Sequence, residues 1–436
     1  MFLKKLSKYY YQDMISKNVK SVSINLSSIQ FFLLCAIPYS LVFSIFVADF
    51  FVVLICFLFI AKNIKEKKNY FNNVFFKFFF IFWIYISVRS LFSEDIYFSL
   101  KSSLLFIRIG IFAVAVKHLI EENPKRIYFL FIILASFLPI VAADGMLQFF
   151  MGKNIFGYSL GSLEGRLSGF FDQELIIGSY VARMAPILIG TFFYCKYLKL
   201  IPQQWDYYLL LIIIFLFFLV LLSGERVSNV YYLISIFFFY LFSSITKFKK
   251  IVTFFILILL IIFLFTKSEV VKQRLITKTA NQIGIFNKDK PIYMYSIDHH
   301  YHILAAYEIF KENIFFGSGA KMFRIICDKR HKVSEQNSCT THPHNLIMQF
   351  LAETGIMGSF FYFLSLFYIL IKIFKILRMA MCASINNNDK AKFFFLVALL
   401  VGLFPILPSG NFFNNWISII SFLPVGLYIS KIKNTF

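Results

Sequence analysis

Residues 207–222 read YYLLLIIIFLFFLVLL, a run of 16 residues without one charged side chain. A helix needs roughly 20 apolar residues to cross about 30 Å of hydrocarbon, and this run approaches that length. The whole chain shares the bias, since its 436 residues are 59% hydrophobic, only 15% charged and include 61 Phe. Soluble domains average about 45–50% apolar and about 25% charged residues. The composition therefore predicts a polytopic membrane protein and excludes disordered, collagen-like and disulfide-framework classes.

Eleven further apolar runs of comparable character flank this stretch. The twelve predicted spans are Ile29–Phe46, Phe50–Ala61, Val74–Leu91, Tyr97–Val116, Ile127–Phe150, Leu175–Tyr194, Tyr207–Leu222, Val227–Ile245, Ile251–Phe265, Ile356–Ile376, Phe393–Leu407 and Phe413–Ile429. The second is short, so the first two could form one broken hairpin. We predict an all-α fold, a bundle of about 12 transmembrane helices. The first 28 residues are polar and Lys-rich, and we expect no secretory signal peptide there.

The net charge of +22 is interpreted through topology. Connections on one side of the predicted membrane carry 24 Lys and Arg, whereas the alternate short connections carry only Arg89, Lys153, Arg166 and Arg226. Cations accumulate in short cytoplasmic loops, so both termini are predicted to be cytoplasmic and a nucleic-acid partner is not expected. The predicted division is 1–28 as a cytoplasmic segment, 29–266 as helices 1–9, 267–345 as a large external loop, and 346–436 as helices 10–12 with a cytoplasmic C-terminus.

The external loop holds most of the histidines. Six of the seven lie within it, namely His299, His300, His302, His331, His342 and His344. His342 and His344 stand where the loop re-enters the membrane, and imidazole is the side chain best able to accept a proton near neutral pH, as general-base activation of a hydroxyl requires. The alternative is a pair of interfacial histidines beside a helix start, with Asn345 as N-cap and Gly355 and Gly358 as close-packing positions. The roles of His299, His300 and His302 are left open.

Two arginines stand against the charge bias. Arg166 and Arg226 lie in short external connections, where their planar donor groups could hold a diphosphate. Alternatively they are solvated, with Arg226 neutralised by Glu225. Asp144 and Arg183 fall inside predicted spans, where they could pair, line a cavity or relay protons, so a transporter remains a candidate.

Arg108 is a third ionisable residue inside a predicted span, with the same choice between an ion pair and a cavity-lining role. Cys327 and Cys339 are the two cysteines of the external loop, and an oxidising compartment would permit a disulfide between them. Two free thiols are the alternative. Without Cys-x-x-Cys or His-Glu-x-x-His spacing we expect no zinc site, and without a P-loop or dinucleotide fingerprint we expect no cofactor.

The order of several motifs resembles the O-antigen ligase and O-antigen polymerase family. His344-Asn345, nine further residues and then Gly355-Ile356-Met357-Gly358 reproduce that family's His-[Asn/Ser/Gln]-x9-Gly-x-x-Gly signature. The segment Asn313–Gly319 ahead of the motif, the sequence Arg166–Gly169 after the fifth span and the large loop before the tenth span are also similar to the family.

The resemblance implies a metal-independent glycosyltransferase in the bacterial inner membrane, with its active site facing the periplasm. The donor would be a glycan on undecaprenyl diphosphate, and in ligases of lipopolysaccharide biosynthesis the acceptor is lipid A-core. His344 would be the general base, while Arg166 and Arg226 would bind the diphosphate; the resemblance assigns no role to His342. An O-antigen polymerase and a protein O-oligosaccharyltransferase remain alternatives, as does a transporter from another class.

Overall fold

The computed structural model describes residues 25–161, 166–267, 269–283, 293–330 and 339–431. Within these ranges the regular structure is helical, with two isolated β-bridges, Lys153 to Ser159 and Gly161 to Arg166. Eight of the described helices are long and apolar enough to cross a membrane. The chain is therefore an all-α, multi-pass membrane protein, as the composition predicted.

The helices follow one another through short connections. Those of the first part are α1 Leu26–Phe43, α2 Ile45–Glu66, α3 Val74–Ser90, α4 Ile96–Leu104, α5 Ile107–Glu122, α6 Arg126–Met151, α7 Ile177–Tyr197, α8 Asp206–Leu222, α9 Arg226–Phe242 and α10 Lys247–Lys267. The remaining helices are α11 Glu269–Lys272, α12 Lys278–Ile283, α13 Ile297–Glu312, α14 Phe323–Arg330, α15 Leu346–Cys382, α16 Asn387–Gly402 and α17 Asn415–Ile429. A π-helical turn, Gln273–Thr277, joins α11 to α12.

Each of the twelve predicted spans lies on one of these helices, with two differences in detail. The first two spans are separate helices, because Ser44 leaves α1 in an extended conformation and its hydroxyl caps α2 by accepting from the Val47 amide at 3.4 Å. The fourth span is interrupted at Leu105–Phe106, between α4 and α5. Of the predicted cytoplasmic segment, residues 1–24 lie outside the described residues.

Helix α7 forms the centre of the bundle. Nearly all of its side chains are buried, and it packs against α6, α8, α9 and α16. The ring of Phe193 stacks on Phe394 at a centroid distance of 5.6 Å, while Gly190 leaves room for the ring of Phe395. Aromatic rings thus fill the space that a uniformly small-residue interface would leave between these helices.

The end of the bundle that holds the predicted cytoplasmic connections neutralises some of its cations. Glu122 accepts from Lys62 at 2.5 Å and from Arg126 at 2.8 Å. Lys196 is paired with Asp206, and both side chains are buried. The opposite end carries α13 and α14, and we call it the loop face.

At the loop face, α15 is broken at Gly355, whose φ of 63° and ψ of −170° are not helical. A break leaves backbone amides and carbonyls without helical partners. The preceding turn, Asn313–Gly319, supplies them: Ile356 and Met357 donate to the carbonyls of Ile314 and Phe315 at 2.9 and 3.1 Å. We call this segment the 313–319 turn.

The same turn also satisfies the carbonyls on the other side of the break. Ser318 and Gly319 donate their amides to the carbonyls of Ala352 and Glu353 at 2.9 and 2.8 Å. The Tyr85 hydroxyl of α3 donates to the Thr354 carbonyl at 2.6 Å. Because four backbone hydrogen bonds join the two segments, the break has one defined geometry.

The two segments approach too closely for side chains. A Cβ atom built on Gly355 would lie 2.4 Å from the Phe315 carbonyl oxygen, and one on Gly317 would lie 2.4 Å from the amides of Thr354 and Gly355. Gly358 faces Thr354 and the ring of Tyr85 in the same way. Arg89 donates its Nε to the Gly317 carbonyl at 2.8 Å and so holds the turn from α3.

Gly355→Ala is expected to destabilise the protein more than Gly157→Ala does. Both glycines have positive φ, 63° and 85°, which costs about 1–2 kcal/mol for an L-residue. Only at Gly355 would the new methyl group also meet backbone, since nothing lies within 4 Å of a Cβ on Gly157. Thermal unfolding of the two purified variants in detergent tests this, and equal losses of Tm would contradict the close approach.

Candidate active site

Four imidazoles meet at the loop face. The ring centroid of His344 lies 4.0 Å from His342, 5.1 Å from His299 and 5.3 Å from His302. His299 and His302 are on the first turns of α13, and the other two immediately precede α15. His300 points elsewhere, with its ring 5.5 Å from Tyr293. The cluster thus joins residues more than 40 positions apart, and we call these four residues the histidine cluster.

His344 combines a strained backbone with an available side chain. Its φ of 55° is in the left-handed region, and its carbonyl oxygen accepts from the Ser409 amide at 2.9 Å. The imidazole is half-buried, and its nitrogens form no hydrogen bond with the described residues. A non-glycine residue held at positive φ is frequent at functional sites, and this one presents free ring nitrogens.

His342 is held from both sides. Its Nε2 lies 3.1 Å from the Ser409 carbonyl oxygen, which can only accept, so Nε2 carries the proton. Its Nδ1 lies 2.9 Å from the Thr341 hydroxyl and can then accept from it. Ser409 thus contacts the ring of His342 and the backbone of His344, tying both histidines to the connection between α16 and α17.

Burial lowers the pKa of each histidine that could be examined in the cluster. Burial is the main cause of the fall of the His344 pKa to about 2, and His342, His299 and His302 add to it. The pKa of His342 falls to about 4 for the same main reason. Burial also lowers the pKa of His299, assisted by His302 and Arg226 and opposed by Asp298. These imidazoles are therefore neutral at physiological pH.

Asn345 holds the start of α15. Its side-chain oxygen accepts from the Met348 amide at 3.0 Å, and its Nδ2 donates to the Pro405 carbonyl at 3.1 Å. Four residues on, Gln349 contacts Asn411 at 2.9 Å and accepts from the Phe412 amide at 3.0 Å. The predicted N-cap is thus present, and it is anchored to the connection between α16 and α17.

The two arginines singled out from the sequence approach the histidine cluster from the other side. Arg226 is the first residue of α9, is half-buried, and its guanidinium forms no hydrogen bond with the described residues. Arg166 donates to the Leu175 carbonyl at 2.9 Å and lies within electrostatic range of Arg226. Arg226 in turn acts on His299. Two neighbouring guanidinium groups repel each other, so an anion bound between them would be stabilised.

Glu225 does not neutralise Arg226, contrary to one of the alternatives. Its carboxylate accepts from the amides of Gly178 and Ser179 at 2.7 and 2.9 Å, and from the Ser228 hydroxyl at 2.8 Å. A carboxylate is well placed at the N-terminus of a helix, here α7. Burial raises the pKa of Glu225, and Arg166 opposes that rise. Glu225 is therefore committed to the helix start.

Asp144 and Arg183 do not form the ion pair considered from the sequence. Asp144 accepts from the Ile155 amide at 3.1 Å and from the Asn154 side chain at 3.2 Å. Arg183 donates to the Val401 carbonyl at 3.2 Å and lies over the ring of Tyr231. Each residue has local partners because the loop after α6 folds back on Asp144, a feature without a sequence signal.

Arg108 forms an ion pair with Asp49 at 2.9 Å and donates to the Asn415 side chain at 2.9 Å. It therefore joins α5 to the starts of α2 and α17. Of the two readings of this residue, the described contacts are those of a structural ion pair.

A disulfide links Cys327 of α14 to Cys339, 12 residues later. It attaches the segment that leads to His342 to the outer helices. A cavity of about 560 Å³ lies beside it and is lined by Arg324, Lys329, Thr340 and Thr341, among others. His331 lies outside the described residues. No group of three or more His, Cys, Asp or Glu among the described residues is arranged to hold a metal ion.

Sequence reasoning found His344, His342, Arg166 and Arg226 but missed what surrounds them. Ser409 has no motif, and it acts through its backbone, which leaves no trace in residue type. Arg89 was noted only as a cation of a short external connection, although it binds the 313–319 turn.

Residues 211–363 match the family model described as O-Antigen ligase. The resemblance to the O-antigen ligase and polymerase family is thereby confirmed for the part of the chain that contains Arg226, the histidine cluster and the Gly355-x-x-Gly358 motif. Arg166 lies outside the matched residues. A search of curated proteins found no match.

Acidification is expected to destabilise the histidine cluster. The pKa values of His342 and His344 lie below the ordinary value of 6.5, so the unfolded chain binds protons that the folded chain does not. The stability contributed by the neutral rings is present above pH 6.5 and is lost as the pH falls towards about 4, at no more than about 1.4 kcal/mol per pH unit for each histidine. Thermal unfolding across this interval should show a smaller dependence on pH in His342→Gln than in the wild type.

The matched control is His300→Gln, since His300 lies beside the cluster but packs against Tyr293 and Tyr301. This variant should keep the wild-type dependence on pH. A wild-type protein whose Tm does not change over the interval would show that the cluster is not buried in its neutral form.

Proposed function

We propose that this protein is an O-antigen ligase-type glycosyltransferase, which moves a glycan from a polyprenyl diphosphate to an acceptor hydroxyl at the loop face of the membrane. One observation carries the proposal. The half-buried His344 imidazole has free nitrogens in a cluster that adjoins the unpaired guanidinium of Arg226, and both residues lie in the segment that matches the family.

The chemistry needs a base and an anion site. His344 accepts the proton of the acceptor hydroxyl as its oxygen forms a bond to the anomeric carbon of the glycan. The bond between that carbon and the diphosphate oxygen breaks, and the diphosphate leaves with the electron pair. Arg166 and Arg226 bind the diphosphate and stabilise the charge that it gains in the transition state. Two guanidinium groups suit this task because each presents several donors in a plane.

The remaining parts of the proposal follow the same assignment. The donor is a glycan on undecaprenyl diphosphate, the acceptor is lipid A-core, and the protein acts in the bacterial inner membrane during lipopolysaccharide biosynthesis. The cation-rich connections support an orientation in which the loop face is periplasmic. His342, Asn345, Gly355 and Gly358 support His344, and the Cys327–Cys339 disulfide is compatible with an oxidising periplasm.

A polymerase, which joins repeat units to one another, and a protein O-oligosaccharyltransferase would use the same chemistry on other acceptors. The polysaccharide of a deletion strain separates the first two, because long chains accumulate on the carrier without a ligase and single repeats accumulate without a polymerase. A transporter is less supported, since the local partners of Asp144 and Arg183 occupy the charges that it would use.

His344→Ala should abolish glycan transfer while leaving folding intact, because the side chain forms no hydrogen bond with the described residues. Removal of a general base typically costs about 10²–10⁴-fold in rate. The measurement is transfer by purified protein in detergent from a synthetic glycan on a polyprenyl diphosphate. His300→Ala, which changes a neighbouring histidine outside the cluster, should retain wild-type transfer. Undiminished transfer by His344→Ala would refute the assignment of the base.

Arg226→Lys should lower transfer although it keeps the positive charge. A lysine ammonium is a point charge and cannot reproduce the planar set of donors that guanidinium offers to a diphosphate. We expect a loss of about tenfold or more in kcat/KM, equivalent to about 1.4 kcal/mol. Lys153→Gln is the matched control, because Lys153 is an exposed cation in another connection of the loop face. Equal kcat/KM in Arg226→Lys and the wild type would exclude a diphosphate contact at this residue.

A further inference from the structure

We propose that His299, His302 and His342 form, with Arg226, a shell that keeps the His344 imidazole neutral in the empty site, and that an anionic diphosphate bound beside Arg226 makes this imidazole basic. This inference rests on the proposed function and deepens it. It assigns a role to three histidines that the family signature does not contain.

The shell surrounds His344 from two separate elements. His299 and His302 approach from α13 with ring centroids 5.1 and 5.3 Å away, and the ring of His302 is nearly parallel to that of His344, at 30°. His342 lies on the same segment as His344, at 4.0 Å. At these distances a proton on one ring disfavours a proton on the next. The cluster can therefore hold few protons at once.

The fixed groups around the shell add positive rather than negative charge. Arg226 of α9 acts on His299, and Arg324 of α14 acts on His342. Asp298 of α13 is the acidic residue that opposes them at His299. Among the described residues, no carboxylate is hydrogen-bonded to His342 or His344, and the connection between α16 and α17 contributes the Ser409 carbonyl instead. The empty site thus favours neutral imidazoles on each side.

A permanently neutral His344 would be a weak base. The pKa of about 2 that burial and the neighbouring histidines give it is far from the neutral pH at which a general base is most effective. A diphosphate between Arg166 and Arg226 would neutralise the nearby positive charge and place negative charge beside His299. Such an anion raises the pKa of a histidine. The base becomes effective when the donor is present, and the acceptor hydroxyl is not activated in its absence.

His342 has a second task in this arrangement. Its ring is held by the Ser409 carbonyl and lies against His344, so it restricts the orientation of the His344 ring. Because its Nε2 carries the proton for that bond, His342 is a positioning residue and does not itself exchange a proton with substrate. His299 has a comparable anchor, with Nδ1 2.8 Å from the Ser296 hydroxyl.

The test follows the protonation of His344 directly. Diethyl pyrocarbonate modifies only neutral imidazole, so the pH dependence of its reaction with His344, measured by mass spectrometry of the full-length protein in detergent, reports the protonation state. Without added anion, we expect a rate ratio for His344 that does not titrate between about pH 5 and pH 8. With saturating inorganic pyrophosphate, the His344 reaction should acquire a midpoint within this interval. Sodium chloride at equal ionic strength should leave it without one.

Three variants then separate the shell from general packing. In the presence of pyrophosphate, His299→Gln and His342→Gln should each move the His344 midpoint upward by about one pH unit, because one repelling neighbour is removed. His300→Gln should keep the wild-type midpoint. The two shell variants change different elements, so one remains informative if the other does not fold.

Two outcomes would overturn the shell. One is a wild-type His344 that titrates identically with and without pyrophosphate, and the other is a midpoint that moves equally in His300→Gln and in the shell variants. Both are independent of glycan transfer. Transfer by His344→Ala would instead refute the proposed function, whatever the titration shows.

Discussion

The site depends on the break in α15 and on the 313–319 turn that fills it. A helix that continued through Gly355 would carry its first turns along one straight axis. The break separates Leu346–Thr354 from the rest of the helix, and the turn binds the freed amides and carbonyls on both sides. Since the turn follows α13 directly, the same contact places the helix that carries His299 and His302 beside the residues that precede α15. Gly317 and Gly355 are required because their backbones touch.

A second constraint is the contrast in charge between the two faces. At the cation-rich end, carboxylates such as Glu122 and Asp206 bind lysine and arginine side chains. At the loop face, the nearby carboxylate Glu225 is used by the start of α7, which leaves Arg226 without an ion pair among the described residues. Positive charge without a fixed counterion is costly in a half-buried site. A bound anion relieves that cost, and here the histidines adjoin the place where it would lie.

The outer helices are held by two kinds of link. The disulfide between Cys327 and Cys339 is covalent, whereas Ser409 and Pro405 contact His342, His344 and Asn345 through backbone atoms. The base therefore lies between a cross-linked loop and the membrane bundle. Contacts from both sides restrict the ring of His344 without using its nitrogens, which is the arrangement that proton transfer requires.

Much of this protein could be predicted from the sequence alone. Apolar runs such as 207–222 determined the all-α membrane class, because helices satisfy every backbone group within one segment. The order of His344, Asn345, Gly355 and Gly358 indicated the family, and charge bias marked Arg166 and Arg226. The tertiary structure decided which of these residues meet. His299 and His302 join His344 across more than 40 residues, and Asp144 and Arg183 stay apart, because the meeting of distant segments depends on the backbone pairing at Gly355 and on loops that fold back. Such contacts arise from shape and hydrogen bonding between segments, for which residue order carries no periodic signal.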